Sequence, residues 1–368
     1  MTSADVAAST LHPAERDAMA RALTLAATDG LVLGSNPRVG CVLLDADGAT
    51  LAEGFHRGAG TPHAEAVALT NARHAVGPDA LRGATAVVTL EPCAHTGRTG
   101  PCAHALRDAG VGRVVYAQTD PHRVAAGGAQ VLRDAGIDVV DAADLLDDDL
   151  ASRVRDLNHA WTTAVTLGRP YVTWKVATSL DGRTAAADGT SRWITSAAAR
   201  RDVHRLRAGV DTVLVGTGTL LADDPALTVR DAVGAQPLRA VMGLRDVPAG
   251  ARLASPGPDG SRALHLRTRD PRAALAELWD HERRHVLLEG GRTLAAAFWR
   301  AGLVDEVVAY VAPVLLGAGP AAVADLGITT ITGAARLDVT GVTLVAPDDA
   351  DAPGDTTVRL ALRPRKEQ

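Results

Sequence analysis

Pro62-His63-Ala64-Glu65 is followed along the chain by Pro92-Cys93 and then by Cys102, so one imidazole and two thiols accompany a carboxylate. A catalytic zinc ion takes three protein ligands and keeps a fourth position open, whereas a structural zinc ion usually takes four. The sequence therefore predicts Zn²⁺ bound by His63, Cys93 and Cys102. Zinc lowers the pKa of bound water toward neutrality, and Glu65 is predicted to act as the general acid and base that moves its proton.

The same pattern is typical of zinc-dependent deaminases, which carry His-x-Glu and a later Pro-Cys. In those proteins two residues separate the cysteines, whereas eight separate Cys93 from Cys102. The chain has three cysteines, an odd number that argues against a disulfide framework and favours metal binding. Cys41 lies in an apolar run and is predicted to pack in a core. His95 and His104 remain alternative ligands, because spacing alone does not exclude them.

Apolar runs that alternate with helical stretches predict two α/β domains, as does the length of 368 residues. The alternation predicts a three-layer first domain over residues 1–150. Gly168-Arg169-Pro170 marks a junction, and residues 169–368 are predicted to form a second domain. Strands are predicted at residues 39–44, 84–90, 114–117, 137–140, 171–177, 212–215, 238–242 and 285–288 and near residues 305–316, 337–345 and 356–362. Helices are predicted at residues 13–29, 63–75, 102–109, 128–135, 197–208, 271–281 and 293–299, and the stretch from about 141 to 168 is acidic and then helical.

Composition excludes several classes of partner. A net charge of −5 gives the chain no general attraction to nucleic acid. The N-terminus lacks the basic and then apolar segments of a secretory signal, and proline and glycine interrupt the long uncharged stretches. We therefore expect a cytoplasmic protein that binds neither nucleic acid nor a membrane.

Glu289-Gly290-Gly291-Arg292-Thr293 joins a predicted strand to a predicted helix through a glycine pair. Backbone N–H groups at such a turn can approach a phosphate at the positive end of the helix dipole. An ordinary tight turn has the same sequence, and this one is not the Gly-x-Gly-x-x-Gly of a Rossmann site. A second cluster, Ser179-Leu180-Asp181-Gly182-Arg183-Thr184 followed by Ser191-Arg192-Trp193-Ile194-Thr195, carries arginines suited to phosphate. The alternative is a solvated loop with a structural tryptophan.

Taken together, these residues resemble the bifunctional deaminase-reductases of riboflavin biosynthesis. In that family a cytidine-deaminase-like domain is fused to a dihydrofolate-reductase-like domain, and the long spacing between the two cysteines is a family feature. The resemblance covers nearly the whole chain. The motifs that carry it are Asn36-Pro37-Arg38-Val39-Gly40-Cys41-Val42, His56-Arg57-Gly58-Ala59-Gly60, Pro62-His63-Ala64-Glu65, Glu91-Pro92-Cys93 with Cys102, Ser179-Leu180-Asp181-Gly182-Arg183-Thr184, Trp193-Ile194-Thr195-Ser196, Ala222-Asp223-Asp224-Pro225-Ala226-Leu227-Thr228-Val229-Arg230 and Glu289-Gly290-Gly291-Arg292-Thr293-Leu294.

The resemblance implies two consecutive steps on a phosphoribosylated pyrimidine. Zn²⁺-dependent hydrolysis would release the 2-amino group of 2,5-diamino-6-ribosylamino-4(3H)-pyrimidinone 5′-phosphate as ammonia, and NADPH would then reduce the ribosyl unit to ribityl. A homo-oligomer is also expected. Positions that match NADPH contacts are Ala177, Trp193, Thr219, Asp223, Gly291, Arg292, Thr293, Leu294, Ala295, Ala296 and Ala297. Positions that match substrate contacts are Ser191, Arg207, Leu227, Arg230 and Glu289. Leu244 stands where the family often has a polar cofactor contact, so its role is open.

Two other functions compete with this interpretation. One is a deaminase that acts on a nucleobase in RNA, against which the acidic charge and the second domain both argue. The other is a structural zinc ion beside a nucleotide-sensing domain. In that second case Glu65 would be an exposed helix residue, and its replacement by glutamine would change no activity.

Overall fold

The computed structural model describes residues 10–31, 34–95, 100–122, 125–346 and 356–365. The chain forms two compact units, and the boundary lies between Leu167 and Gly168. Within the described residues, no helix has the length and apolar character needed to cross a membrane.

The first unit contains a five-stranded mixed sheet. Its strands are β1 (Gly40–Leu44), β2 (Thr50–Phe55), β3 (Thr85–Val88), β4 (Arg113–Tyr116) and β5 (Asp138–Asp141). The spatial order is β2-β1-β3-β4-β5. β1 is antiparallel to both of its neighbours, whereas β3, β4 and β5 run parallel.

Helices cover both faces of this sheet. They are α1 (Pro13–Ala26), α2 (Ala64–Ala75), α3 (Cys102–Asp108), α4 (Gly128–Asp134), α5 (Asp148–Leu157) and α6 (His159–Leu167). Cys41 and Leu43 of β1 pack with α2, α3 and α4 on one face. Val42 and Leu44 pack with α1 and α5 on the other, as the alternation of side chains along a strand requires. The predicted three-layer arrangement and the core position of Cys41 are therefore confirmed.

One glycine allows α2 to pack directly on β2. A Cβ atom at Gly54 would lie 2.3 Å from the carbonyl oxygen of Ala64 and 2.5 Å from the backbone nitrogen of Ala68. Both are backbone atoms, so no rotation of a side chain could relieve the contact. The close approach at Gly54 therefore holds the first turn of α2 against the sheet.

The second unit contains an eight-stranded sheet. Its strands are β6 (Tyr171–Ser179), β7 (Thr212–Gly216), β8 (Leu238–Met242), β9 (Leu264–Leu266), β10 (His285–Leu288), β11 (Glu306–Ala312), β12 (Leu337–Val345) and β13 (Thr357–Pro364). The spatial order is β12-β13-β11-β6-β10-β7-β8-β9. All neighbours from β11 to β9 are parallel, whereas β13 is antiparallel to both β11 and β12.

Helices again pack on both faces. They are α7 (Ala197–Ala208), α8 (Thr217–Asp223), α9 (Pro271–Asp280) and α10 (Arg292–Arg300). Leu214 of β7 packs with α9 and with Phe298 of α10, whereas its neighbour Val213 packs with Leu220 of α8 on the opposite face. The carboxyl ends of β7, β8, β9 and β10 meet at one edge, where open α/β sheets place ligand sites. Three of these elements, β2, β9 and α8, are not predicted from the sequence.

Candidate active sites

The three predicted zinc ligands come together in the first unit. His63 immediately precedes α2, Cys93 lies in the loop after β3, and Cys102 is the first residue of α3. The Nδ1 atom of His63 is 3.6 Å from the Sγ atom of Cys93 and 3.3 Å from that of Cys102. The three ligand atoms lie within 4.8 Å of one another. Among the residues described, His95 and His104 do not belong to this cluster.

The chemistry of this donor set suits zinc. A hydrogen bond from the Cys102 thiol, with a further contribution from His63, lowers the pKa of Cys93 to about 4. The same hydrogen bond and burial raise the pKa of Cys102 well above its usual value. The pair therefore holds one negative charge readily and resists a second unless a cation compensates it. One imidazole and two thiolates are ligands that Zn²⁺ prefers.

Glu65 lies in the first turn of α2 and is almost completely buried. Burial, followed by the charge of Cys93, raises its pKa to about 7. The side chain also forms a hydrogen bond with Cys102. A carboxyl group whose pKa is close to neutrality can both accept and donate a proton at physiological pH. Glu65 is thus a buried carboxyl group beside the predicted metal ligands rather than an exposed helix residue.

Glu91 supports the loop that carries Cys93, a role that the sequence analysis misses. Its buried carboxylate accepts three backbone N–H hydrogen bonds, from Asp120 at 3.2 Å, Gly127 at 3.2 Å and Ala129 at 3.0 Å. A Cβ atom at Gly128 would lie 1.7 Å from the carbonyl oxygen of Pro92, so only glycine permits this approach. The start of α4 therefore packs tightly against the loop. The only sequence feature that could have indicated this role of Glu91 is its place directly before Pro92-Cys93.

His56, the first residue of the motif His56-Arg57-Gly58-Ala59-Gly60, is a second residue to which the sequence assigns no role. Its ring meets the ring of His63 edge to face, with 5.2 Å between centroids. Nδ1 of His56 is 3.1 Å from the carbonyl oxygen of Pro62, and Nε2 is 2.9 Å from Nδ2 of Asn36. A carbonyl oxygen only accepts, so Nδ1 of His56 carries the hydrogen and Nε2 accepts from Asn36. Burial lowers the pKa of His56, which favours this neutral form.

The second unit has a cavity of about 650 Å³ at the carboxyl ends of its parallel strands. Seven of the residues predicted to contact NADPH line it, namely Thr219, Asp223, Gly291, Arg292, Thr293, Leu294 and Ala297. Leu244, whose role was open, also lines it. Ala295 and Ala296 are instead buried on α10. Ala177 packs against Tyr310 and its neighbours, and Trp193 is exposed beneath the guanidinium of Arg200, so neither belongs to the lining.

The glycine turn at this cavity packs closely against two side chains, those of Leu294 and Thr219. A Cβ atom at Gly290 would lie 2.6 Å from Cδ2 of Leu294. The N–H group of Gly291 donates to Oγ1 of Thr219 at 2.9 Å, which links the end of β10 to α8. The hydroxyl of Thr219 in α8 thus holds the start of α8 against the residue that precedes α10.

Two of the predicted substrate contacts form an ion pair. Nε of Arg207 donates to Oε1 of Glu289 at 2.6 Å, and Nη2 of Arg207 donates to Oε2 of Glu289 at 3.0 Å. Burial alone would raise the pKa of Glu289, but the charge and hydrogen bonds of Arg207, together with the charges of Lys175 and His204, lower it. Lys175 also faces Glu289, and burial lowers its pKa. Ser191 and Arg230 are exposed.

Leu227 is the remaining predicted substrate contact. It is buried, and its backbone has a φ of 56°, in the left-handed region that a leucine seldom adopts. The segment between α8 and β8 therefore takes an unusual path at this residue.

Two family models match the chain. The cytidine and deoxycytidylate deaminase zinc-binding region matches residues 13–118, and the RibD C-terminal domain matches residues 170–348. The chain is 50% identical over 316 residues to riboflavin biosynthesis protein RibD of Mycobacterium tuberculosis strain H37Rv, with 85% of this chain and 89% of the relative covered. It is 39% identical over 365 residues to RibD of Escherichia coli K12, with 90% and 96% covered.

A solved structure of Acinetobacter baumannii RibD agrees over 96% of this chain and 99% of that chain, with a TM-score of 0.82 and 38% identity. A bifunctional relative from Thermotoga maritima gives a TM-score of 0.81 at 31% identity, with 96% and 99% covered. These matches confirm the predicted fold class, a cytidine-deaminase-like domain followed by a dihydrofolate-reductase-like domain. The chain therefore belongs to the RibD family of riboflavin-biosynthesis enzymes and combines a zinc-binding deaminase domain with a reductase domain.

Proposed function

We propose that this chain deaminates 2,5-diamino-6-ribosylamino-4(3H)-pyrimidinone 5′-phosphate and then uses NADPH to reduce the ribosyl unit of the product to ribityl. We assign the first step to residues 1–150 and the second to residues 169–368. The observation that carries the proposal is the cluster of His63, Cys93 and Cys102 beside buried Glu65. The Thermotoga maritima relative is described as a diaminohydroxyphosphoribosylaminopyrimidine deaminase and 5-amino-6-(5-phosphoribosylamino)uracil reductase.

In the first step, His63, Cys93 and Cys102 would hold zinc. When bound, Zn²⁺ supplies a Lewis acid that lowers the pKa of water at its open position toward neutrality. Glu65 takes one proton from the attacking water and gives it to a ring nitrogen. It then takes the second proton from the new hydroxyl group as the carbonyl forms and gives it to the departing amino group, which leaves as ammonia. Glu91 and His56 act on the ligands, since one holds the Cys93 loop and the other packs on the His63 ring.

In the second step, the cavity at the sheet edge would hold NADPH, which supplies the hydride when bound. The assigned contacts are Ala177, Trp193, Thr219, Asp223, Gly291, Arg292, Thr293, Leu294, Ala295, Ala296 and Ala297. Since the side chains of Ala295 and Ala296 are buried, those two residues would contribute through their backbone. Substrate contacts are assigned to Ser191, Arg207, Leu227, Arg230 and Glu289. The ion pair between Arg207 and Glu289 keeps both side chains in one orientation.

An enzyme of this kind acts on a small molecule and needs neither nucleic acid nor a membrane partner. We further propose that it works in the cytoplasm and as a homo-oligomer. Size-exclusion chromatography with light scattering tests the second point, since a monomer across the working concentration range would contradict it.

Glu65→Gln tests the assigned chemistry. Glutamine keeps the shape of the side chain but cannot transfer the proton, so ammonia release is expected to fall by about 10²- to 10⁴-fold. Zinc content and NADPH oxidation on the already deaminated substrate are expected to persist. Glu53→Gln, at a carboxylate of β2 that pairs with Arg21 at the surface, is the matched control and should change neither activity. Unchanged ammonia release in Glu65→Gln would instead favour a structural zinc ion.

A further inference from the structure

Two arginines at one end of the reductase cavity have no partner within the described part of the chain. Arg245 follows β8 and Arg269 follows β9, and both line the cavity. Neither forms an ion pair or a hydrogen bond within the described ranges. By contrast, the neighbouring Arg267 pairs with Asp246 at 2.5 Å and does not line the cavity. Two unpaired positive charges therefore face the same space.

The position of these arginines follows from the register of the sheet. Gly216 of β7 pairs with Met242 of β8, which pairs with Leu266 of β9, so the three strands end at the same level. Neighbouring strands lie about 4.8 Å apart. The glycine turn after β10 and the start of α8 after β7 therefore occupy one end of the cavity. The loops that carry Arg245 and Arg269 occupy the other, one and two strand spacings from β7 and two and three from β10.

Gly243 brings the loop of Arg245 close to α8. Its φ is 144°, and a Cβ atom there would lie 2.7 Å from Oγ1 of Thr217. The loop after β8 thus passes directly over the first residue of α8 and places Arg245 on the same cavity as the glycine turn.

We propose that Arg245 and Arg269 bind the 2′-phosphate of NADPH and so select this cofactor over NADH. The inference rests on the proposed reductase function. One ribose separates the pyrophosphate of the cofactor from its 2′-phosphate, so a pyrophosphate at the glycine turn directs that phosphate toward the arginines. Nucleotide sites that prefer NADP place an arginine near this group, whereas an acidic residue that binds the 2′-hydroxyl favours NAD. Guanidinium groups bind phosphate through paired charge-assisted hydrogen bonds.

Acidic residues are scarce in this cavity. Among the described lining residues, Asp223 is the only carboxylate, and it ends α8 rather than following β8 or β9. Arg292 is the third arginine of the lining, but it begins α10 beside the glycine turn. Arg292 is therefore expected to contact the pyrophosphate, which NADPH and NADH share.

The test is the affinity of the purified full chain for NADPH, NADH and 2′,5′-ADP, measured by fluorescence titration without substrate. Arg245→Gln and Arg269→Gln are each expected to raise the Kd of NADPH and 2′,5′-ADP by about 10- to 100-fold. The Kd of NADH should change by less than about threefold, because NADH has no 2′-phosphate. Arg267→Gln is the matched control and should leave all three affinities unchanged.

The outcomes separate this inference from the proposed function. Equal losses of NADPH and NADH affinity in the Arg245 and Arg269 variants, or no loss at all, would overturn the inference and leave the reductase assignment standing. Failure of the wild-type chain to bind either cofactor would overturn the reductase assignment itself. Arg292→Gln is expected to weaken both cofactors alike, so a loss confined to NADPH in that variant would also contradict the assignment to Arg245 and Arg269.

Discussion

Replacing Gly54 by alanine tests whether the packing of α2 on β2 sets the geometry of the deaminase site. The new Cβ atom would lie 2.3 Å from the carbonyl oxygen of Ala64. Real Cβ contacts are essentially never shorter than 3.0 Å, so α2 must move by about 1 Å. Ala64 lies between His63 and Glu65 in sequence, and the displacement therefore moves the proposed zinc ligand and the proposed proton shuttle together.

Overpacking of this kind lowers the free energy of unfolding by about 1–3 kcal/mol. A shift of about 1 Å in catalytic groups can reduce the rate by about 10²-fold. We therefore expect Gly54→Ala to lower the thermal midpoint of the first unit and to reduce ammonia release by about 10²-fold. NADPH oxidation on the deaminated substrate should be unchanged. Calorimetry and the two activity assays on the same preparation measure these effects.

The matched control is Gly250→Ala. A Cβ atom there meets nothing within 4 Å, and the backbone of Gly250 is not in the left-handed region. Its unfolding midpoint and both activities should stay close to those of the wild type. Wild-type ammonia release in Gly54→Ala, with the same thermal midpoint, would refute the argument from packing.

Two other perturbations follow from named contacts. Glu91→Gln removes a carboxylate that accepts hydrogen bonds from three backbone N–H groups around the Cys93 loop. Zinc affinity should therefore fall by about 10- to 100-fold in a chelator competition assay. An unchanged zinc affinity would disprove the supporting role of Glu91. Hydrogen bonds from the Ser179 hydroxyl and two backbone N–H groups lower the pKa of Asp181 from 3.8 to about 2. The folded state thus favours the charged form, whose stabilisation is present above pH 3.8 and lost toward pH 2. The gap in thermal midpoint between wild type and Asp181→Asn should therefore narrow below about pH 4, and a gap independent of pH would contradict this.

Parts of the fold with strong local signals are predictable from sequence. The predicted strands at 238–242 and 285–288 coincide with β8 and β10, because strands buried on both faces are nearly continuous apolar runs, interrupted here only by Arg239 and His285. The predicted helix at 197–208 coincides with α7, which begins after the capping hydroxyl of Ser196 and ends before Gly209.

Elements with weak local signals are not predicted. β2 is an edge strand that is largely exposed or half-buried and includes Glu53 and Gly54, so it lacks an apolar run. β9 has only three residues, and α8 contains Gly218, which is unfavourable within a helix. These elements depend on tertiary contacts more than on local sequence.

The same distinction applies to the sites. The proposed zinc ligands are predictable because the chain has only three cysteines and because thiol and imidazole groups have a specific affinity for metals. The role of Glu91 is not, because its hydrogen bonds reach amides 29 to 38 residues away. Arg245 and Arg269 follow different strands, and only the register of the sheet brings them to one cavity.

The central claim is that one chain carries two separate activities, of which only the first requires zinc. Removal of Zn²⁺ with a chelator, followed by stepwise addition, tests it when ammonia release and NADPH oxidation are measured on each sample. The metal-free chain should release no ammonia yet still oxidise NADPH with the deaminated substrate, and ammonia release should return in proportion to zinc, up to one ion per chain. Full ammonia release without zinc, or loss of NADPH oxidation with the metal while the second unit remains folded, would contradict the claim.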